Sequence, residues 1–194
     1  MFKNETVLIR KGEQMENLFK YDLYRYYGGQ GESFKNRILR PPYIEYLYCY
    51  RKVNSSNFWL SHFYYRLRLY FLGLKTHIYL PWCVKIGKGF YIGHLGEVII
   101  NDRVVIGKNV NITTGVTIGQ TNRGKKKGVP IIGDNVWIGT NAVIVGKITI
   151  GSDVLIAPLA YVNFDVPDHS IVIGNPGKII HKDNATVGYI NNTV

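Results

Sequence analysis

Residues 131–162 read IIGDNVWIGTNAVIVGKITIGSDVLIAPLAYV, and this stretch decides the fold. An aliphatic residue recurs in it at every sixth position, at Ile132, Ile138, Ile144, Ile150, Ile156 and Val162. A helix buries residues about every 3.6 positions and a strand every second one, so a step of six indicates short strands joined by corners. This pattern predicts a hexapeptide β-helix, in which each coil buries its apolar side chains against the next coil.

The six-residue step extends back to Ile86 and is interrupted twice. The first interruption follows Ile92, where the next member of the ladder comes eight residues later, so two extra residues must bulge from the wall; the bulge contains His94. The second follows Ile118, where eight extra residues form a loop that carries Arg123 and three lysines. Irregularities in a regular scaffold are where functional groups tend to lie, so both are candidate site elements.

The segment before the repeat, residues 1–75, is rich in aromatic and basic residues and has no six-residue period. Apolar spacing, glycine and proline predict helices from Glu16 to Gly28, and over 34–39, 43–52 and 58–72. Two interpretations stay open. The segment is a helical cap that covers the end of the solenoid and helps it oligomerise, or it is a surface that lies on a membrane, where Tyr and Trp with Lys and Arg are favoured.

Composition limits the partners and the compartment. A net charge of +11 predicts an anionic partner, but the absence of zinc-ligand spacing, RNA-binding aromatic motifs and helix-turn-helix patterns argues against nucleic acid. Two cysteines fit a reducing compartment rather than a disulfide framework. The N-terminus lacks a signal-peptide pattern and no apolar run approaches about 20 residues, so we expect a cytoplasmic protein, with contact at the inner membrane face as the extension of the second interpretation.

On these residues the chain resembles the left-handed β-helix acyltransferases of the hexapeptide-repeat superfamily, and more narrowly their serine acetyltransferase-like branch. The resemblance rests on Ile86-Gly-Lys-Gly-Phe-Tyr-Ile-Gly-His94, Gly115-Val-Thr-Ile-Gly119, Ile138-Gly139 and Val172-Ile-Gly-Asn-Pro-Gly-Lys178. The segment Asp22-Leu-Tyr-Arg-Tyr-Tyr-Gly28, with the basic aromatic helices after it, is similar to O-acetyltransferases of capsular and other surface polysaccharides.

The resemblance implies a mainly β fold with three parts. These are an N-terminal α-helical segment for capping and oligomerisation (residues 1–75), a left-handed parallel β-helix that carries acyl transfer (residues 76–180), and a polar tail (residues 181–194) that we expect to be mobile. It also implies a homotrimer, alone or as a pair of trimers, with acetyl-CoA in the groove between neighbouring β-helices and no metal.

The resemblance assigns the chemistry to His94, which matches the family's general base. A hydroxyl is a weak nucleophile, and a positioned imidazole that takes its proton typically accelerates attack by about a hundred- to ten-thousand-fold. The groove-lining turns that match the family supply candidate cofactor contacts, with Lys178 placed to meet the CoA phosphates. Those candidates are Gly119, Gly139, Thr140, Ala157, Pro158 and Lys178.

Several positions depart from the serine acetyltransferases that the chain resembles. The aspartate that orients the family's histidine corresponds to Tyr79, and the aspartate directly before that histidine corresponds to Gly93. The Arg-His pair that meets the serine carboxylate corresponds to Gly128 and Val129. These departures together favour a different acceptor, and we expect a sugar hydroxyl of a surface polysaccharide or of its lipid-linked precursor.

Alternatives remain at the acceptor end of the site. Tyr79, Glu97 or a backbone carbonyl are the candidates to orient His94, and Tyr79 and Glu97 are also candidate substrate contacts. Arg123 or a loop lysine is the candidate to replace carboxylate recognition. The alternative function is serine O-acetylation in cysteine synthesis, and the non-enzymatic alternative is a degenerate β-helix that serves as a scaffold.

Overall fold

A computed structural model describes residues 13–194 and shows a left-handed β-helix with α-helices packed at its first coil. The helices begin and end within a few residues of the predicted limits, except that the fourth continues to Thr76. Ser33 Oγ accepts from Asn36 N and caps the second helix, and Pro42 opens the third. The helices are α1 (Glu13–Tyr27), α2 (Phe34–Ile38), α3 (Pro42–Ser55) and α4 (Trp59–Thr76), with a short 3-10 helix at Gly28–Gln30.

Three sheets of parallel strands form the wall of the solenoid, and we call them faces A, B and C. Face A consists of β1 (Ile78–Tyr79), β4 (Val98–Ile100), β7 (Val116–Gly119), β10 (Val143–Val145) and β13 (Tyr161–Val162). Face B consists of β2 (Lys85–Ile86), β5 (Val105–Ile106), β8 (Ile131–Ile132) and β11 (Thr149–Ile150). Face C consists of β3 (Tyr91–Ile92), β6 (Asn111–Ile112), β9 (Val136–Ile138), β12 (Val154–Ile156), β14 (Ser170–Ile173) and the antiparallel β15 (Lys178–His181).

The aliphatic ladder fills the interior of the coil, which confirms the predicted fold. Its ten members from Ile100 to Val162 are each at most 2% exposed. Every third member stacks in register on the same face: Ile100 pairs with Ile118, Ile118 with Ile144, and Ile144 with Val162. The coil begins earlier than the six-residue period indicates, because β1 already pairs with β4.

Helices α1 and α3 cover the open N-terminal end of the solenoid. Tyr46 Oη donates to the carbonyl of Leu80 at 3.0 Å, and Arg51 Nη1 donates to that of Ile86 at 2.8 Å. Backbone groups at the edge of a sheet otherwise remain unpaired and attract further strands. The aromatic and basic side chains of these two helices therefore act as a cap. Among residues 13–194, none of the helices combines the length and apolarity needed to cross a bilayer.

A buried ion pair holds the cap to the first coil. Arg51 Nε lies 2.7 Å from Asp22 Oδ2, and the two side chains are 4% and 0% exposed. The other carboxylate oxygen of Asp22 accepts a hydrogen bond of 2.9 Å from the amide of Phe90 in the coil. Burial raises the pKa of Asp22, and the Arg51 guanidinium opposes that rise. The pair thus joins α1, α3 and the strand that precedes the His94 bulge.

The C-terminal tail lies against face C, so the expectation of a mobile tail is wrong. Asp153 accepts three hydrogen bonds from it, from the amides of Ala185 and Thr186 at 3.0 Å each and from Thr186 Oγ1 at 2.7 Å. Tyr189 packs on Trp137 with ring centroids 4.8 Å apart. These two anchors lie on successive coils of face C. The tail has no six-residue period that would place it on the solenoid, which is why its polar composition alone suggested mobility.

Tail docking is expected to depend on pH, because a histidine and a carboxylate share one anchor. His169 Nδ1 lies 2.9 Å from Asp153 Oδ2. Partial burial raises the pKa of Asp153, but the hydrogen bonds it accepts outweigh burial, so its pKa is lowered; the hydrogen bond to Asp153 raises the pKa of His169. The contribution of the Asp153 carboxylate to the free energy of tail docking is therefore lost as pH falls below about 4. The contribution of the His169 charge is lost as pH rises above about 6.5.

We expect tail docking to be strongest between about pH 4 and pH 6.5. The Trp137–Tyr189 contact gives a fluorescence readout, and an Asp153→Asn variant should lose about 1.5–3 kcal/mol of docking free energy with much of its pH dependence. His169→Gln should remove only the decline at higher pH. A wild-type tail whose docking is unchanged from pH 5 to pH 8 would contradict the role given to this pair.

Candidate active site

His94 lies in the bend between β3 and β4, and helix α1 fixes where that bend begins. Tyr26 Oη donates to the carbonyl of Ile92 and accepts from its amide, both at 2.9 Å. The Tyr26 ring also stacks on Tyr91, with centroids 4.3 Å apart. The His94 side chain is exposed at this corner. Within residues 13–194 its imidazole has no hydrogen-bond or ion-pair partner.

Tyr79 and Glu97 both line a cavity of about 960 Å³ between α4 and the first coil. Tyr79 is 65% exposed, and Arg66 and Trp82 also line the cavity. Neither Tyr79 nor Glu97 makes a hydrogen bond to His94 in the described chain. Both residues that the sequence offered as acceptor contacts therefore line the same cavity, but neither is hydrogen-bonded to the His94 imidazole.

One corner of the solenoid, between faces C and A, carries His94 and five of the six candidate cofactor residues. The turns at Gly139–Thr140 and Ala157–Pro158 stack above the His94 bulge along this corner. The stack is close, since a Cβ at Gly139 would lie 2.6 Å from Pro158 N. Backbone hydrogen bonds join successive turns: Gly115 N to Glu97 O at 2.6 Å, Asn141 N to Thr114 O at 3.0 Å, and Leu159 N to Thr140 O at 2.9 Å.

Lys178 stands at the far end of the same corner. The turn Gly174-Asn175-Pro176-Gly177 follows β14, and Lys178 begins the antiparallel strand β15 directly after it. Gly177 N donates to Tyr161 O at 3.0 Å, which ties this turn to face A. The Lys178 side chain is exposed, so its ammonium is open to an anionic group. The corner thus has an imidazole near one end and a cation near the other.

Gly119 and Arg123 lie on the opposite edge of face A. All strands of a parallel sheet begin on one side of the sheet and end on the opposite side. His94 precedes β4 and lies on the side where the strands of face A begin, whereas Gly119 ends β7 and lies on the side where they end. Face A is three to four residues wide here, which corresponds to roughly 10–13 Å. Within one chain, the structure therefore does not bring Gly119 or Arg123 together with His94.

The loop after Gly119 is a tight hairpin. Thr121 and Gly128 exchange two backbone hydrogen bonds of 2.9 and 3.0 Å, with Arg123 exposed near the tip. Lys126 Nζ donates to the carbonyl of Asn163 at 2.6 Å, so this lysine is held against a later coil. Val129 packs against the apolar core. The two positions that correspond to the Arg-His pair thus contribute hairpin backbone and core packing.

Two residues near the site escaped the sequence analysis. Thr114 packs against Gly96 of the bulge, where a Cβ would collide with the threonine side chain. Tyr26 supports the backbone two residues before His94. The six-residue period does place Thr114 one coil above the bulge, so counting coils gives a signal for it. The sequence contains no such signal for Tyr26, because the helical spacing around it does not show which strand of the solenoid the helix packs against.

Comparison with known proteins supports the fold and the class of transferase. The family model "Bacterial transferase hexapeptide (six repeats)" matches residues 130–163. A serine acetyltransferase of Bacillus pumilus is 35% identical over 149 residues, which cover 71% of this chain and 68% of that protein. A serine acetyltransferase of Helicobacter pylori is 35% identical over 154 residues, covering 75% and 85% respectively.

The chain belongs to the hexapeptide-repeat acetyltransferase family. A crystal structure of Neisseria gonorrhoeae serine acetyltransferase in complex with serine superposes with a TM-score of 0.67 at 26% identity and covers 87% of this chain and 69% of its own. These relatives are named serine acetyltransferases, so they support the acetyltransferase family but not the finer resemblance to polysaccharide O-acetyltransferases.

Membership of the acetyltransferase family fits the side chains that the corner offers. An enzyme of this family uses acetyl-CoA as a co-substrate, and the corner has small residues in the turns at 139–140 and 157–158 and the exposed ammonium of Lys178. Among residues 13–194 no cluster of three or more His, Cys, Asp or Glu side chains has the arrangement of a metal site. Cys49 is buried and Cys83 exposed, and both are free thiols.

Proposed function

We propose that the protein transfers the acetyl group of acetyl-CoA directly to a hydroxyl group, with His94 as the general base. The observation that carries this proposal is the alignment of the exposed His94 with the small residues of the turns at 139–140 and 157–158 on one corner. A pantetheine arm that runs along the corner meets little side-chain bulk and directs its thioester towards the bulge. Imidazole changes its protonation near neutral pH, which suits a group that removes a hydroxyl proton.

The proposed reaction balances without an acyl-enzyme. The His94 imidazole takes the hydroxyl proton as the acceptor oxygen bonds to the thioester carbonyl carbon, giving a tetrahedral oxyanion. The oxyanion collapses, the carbon–sulfur bond breaks, and the imidazolium returns a proton to the leaving CoA thiolate. Backbone amides fixed in the turns of the corner are suited to stabilise such an oxyanion, because preorganised donors need no reorganisation during the reaction. The cysteines have no part in this scheme.

A homotrimer completes the proposed site. Gly119 and Arg123 lie on the edge of face A that faces away from His94, so one chain cannot present all the candidate residues to one ligand. If two β-helices pack side by side, the edge that bears Gly119 in one chain can adjoin the corner that bears His94 in the next. A ring of three such contacts closes and forms three equivalent acetyl-CoA grooves.

The relatives favour serine as the acceptor. Both relatives named above and the superposed crystal structure are serine acetyltransferases. The match to the Helicobacter pylori protein covers 85% of that protein's length. We therefore take serine O-acetylation as the first candidate for the acceptor. On this candidate, Arg123 or an exposed lysine of the same hairpin, Lys125 or Lys127, meets the serine carboxylate.

A sugar hydroxyl is the second candidate, and the hairpin gives the specific observation for it. The positions corresponding to the Arg-His pair carry Gly128 and Val129, which contribute backbone pairing and core packing and no cation. Tyr79 and Trp82 line the cavity of about 960 Å³ beside α4, and the exposed aromatic rings there offer faces on which a sugar ring can pack. A free amino acid would fill only a small part of that volume.

An acceptor panel distinguishes the candidates. Release of CoA thiol from acetyl-CoA is measured with L-serine, with neutral hexoses and with N-acetylhexosamines, for the wild type, for His94→Ala and for His181→Ala as the matched histidine control. Turnover of serine alone selects the first candidate, and turnover of a sugar without serine selects the second. If acetyl-CoA neither binds nor is consumed with any hydroxyl acceptor, the proposed acetyl transfer is wrong.

A further inference from the structure

Helix α4 presents a large apolar surface that the rest of the described chain, residues 13–194, leaves uncovered. One side of the helix packs inward through Leu69 and Thr76, which are 7% and 1% exposed. The rest of it exposes eight large apolar side chains: Trp59 71%, Leu60 48%, Phe63 62%, Tyr64 54%, Leu67 47%, Tyr70 62%, Phe71 59% and Leu74 59%. A contiguous apolar surface of this kind on a folded protein marks an interaction site.

The short helix α2 extends this surface. Phe34, Ile38 and Leu39 are 79%, 65% and 68% exposed. The carboxylate of Glu45 links the two elements, because it pairs at 2.9 Å with Arg40, which follows α2, and at 2.9 Å with Arg68 in α4. We call the exposed apolar side chains of α2 and α4 together the apolar helix surface.

The charge around the apolar helix surface identifies its partner. Across residues 18–77, the carboxylates of Asp22, Glu32 and Glu45 are all held in ion pairs with arginines, and their side chains are 0%, 9% and 15% exposed. The exposed charges on the same segment are positive: Lys20, Lys35, Arg37, Arg66, Arg68 and Lys75. Packing this surface against the same surface of a second copy would place cations against cations with hardly any exposed carboxylate to offset them.

We propose that α2 and α4 dock the protein onto an anionic lipid surface. Trp, Tyr, Phe and Leu enter the boundary between head groups and acyl chains, and the flanking Arg and Lys meet lipid phosphates, which is how amphipathic helices lie in a membrane interface. At 18 residues, α4 is about 27 Å long and can lie flat on the surface. The proposal stands apart from the proposed function, because it uses neither His94 nor the acetyl-CoA corner.

Vesicle flotation with the full chain tests the apolar part of the proposal. The wild type should float with vesicles of phosphatidylcholine and phosphatidylglycerol and remain at the bottom with phosphatidylcholine alone. A Phe63→Ser/Phe71→Ser variant should bind the anionic vesicles at least about tenfold more weakly. Val187→Ser removes an apolar side chain of 73% exposure from the tail and should bind like the wild type.

A charge-matched pair of variants tests the cationic part. Arg37→Gln/Lys75→Gln should weaken binding by about thirtyfold, since each of these exposed cations contributes about a factor of five near an anionic surface. Lys85→Gln/Lys147→Gln removes the same net charge from exposed positions of the β-helix and should bind like the wild type. Trp59 should shift its fluorescence to shorter wavelength on the vesicles, and Trp59→Phe should lose that shift while Trp82 and Trp137 remain.

Three results would overturn the proposal. One is failure of the wild type to bind anionic vesicles, and another is equal binding by the Phe63→Ser/Phe71→Ser variant and the wild type. The third is a wild type that binds no lipid and that light scattering shows to be a larger assembly than the Phe63→Ser/Phe71→Ser variant. That result would show that a second copy covers the surface. Unchanged thermal unfolding and thiol release in each variant show that fold and acetyl transfer are intact.

Discussion

Replacing His94 with alanine is expected to lower kcat for acetyl transfer by about a hundred- to ten-thousand-fold, because the attacking hydroxyl loses its proton acceptor. The KM for acetyl-CoA should stay within about threefold of wild type, since the turns at 139–140 and 157–158 are untouched. Stability should change by less than about 0.5 kcal/mol, as the side chain is exposed. Steady-state thiol release and thermal unfolding measure these three quantities.

Two controls make the His94 result specific. His181→Ala removes another exposed histidine, on β15, and should leave kcat unchanged. Adding imidazole to a His94→Gly variant should restore part of the lost rate, because the free base can occupy the space of the missing ring. An alanine variant with wild-type kcat would show that His94 is not the base. His77, which lines the cavity, would then be the next candidate for the base.

Replacing Asp22 with alanine is expected to lower the free energy of unfolding by about 3–5 kcal/mol. The substitution leaves the guanidinium of Arg51, which is 4% exposed, buried without its counter-charge. It also removes the acceptor for the amide of Phe90. Denaturant unfolding measures the loss of stability. A decrease in acetyl transfer at moderate temperature should accompany it, because Phe90 directly precedes β3, the strand that leads into the His94 bulge.

Matched variants separate the buried pair from ordinary surface charge. Lys108→Gln breaks an exposed ion pair, with Asp134 3.6 Å away and side chains 48% and 41% exposed, and should cost less than about 1 kcal/mol. A double Asp22→Leu/Arg51→Met variant removes both buried charges and should recover part of the stability lost in Asp22→Ala. Equal losses in Asp22→Ala and Lys108→Gln would refute the structural role given to the pair.

Much of the fold follows from periodicity, because the ladder is a local pattern that repeats. Ile100, Ile118 and Ile144 stack in register, as a coil of three six-residue units requires. The same counting places the turn at 139–140 below the turn at 157–158, eighteen residues later. The bulge at His94 is likewise visible as a break in spacing, so sequence reasoning reaches the central residue of the candidate site.

Contacts between distant segments escape that reasoning. Nothing local to Thr186 indicates that Asp153 binds it, and nothing local to Tyr26 indicates that its hydroxyl meets Ile92. Each contact depends on where a helix or tail lands on the solenoid, which is set by packing across the whole chain. For the same reason, the sequence named Tyr79 and Glu97 but could not show that they share a cavity lined by α4.

The two ends of the solenoid also constrain how the molecule can aggregate. A stack of parallel coils with bare ends could grow into a fibre by adding one molecule on top of another. At the first coil, side chains of α1 and α3 already occupy the carbonyls of Leu80, Ile86 and Ile92. At the last coil, β15 runs antiparallel along face C and reverses the strand direction that an incoming coil would need. Lengthwise polymerisation is thereby blocked, and association is directed to the sides.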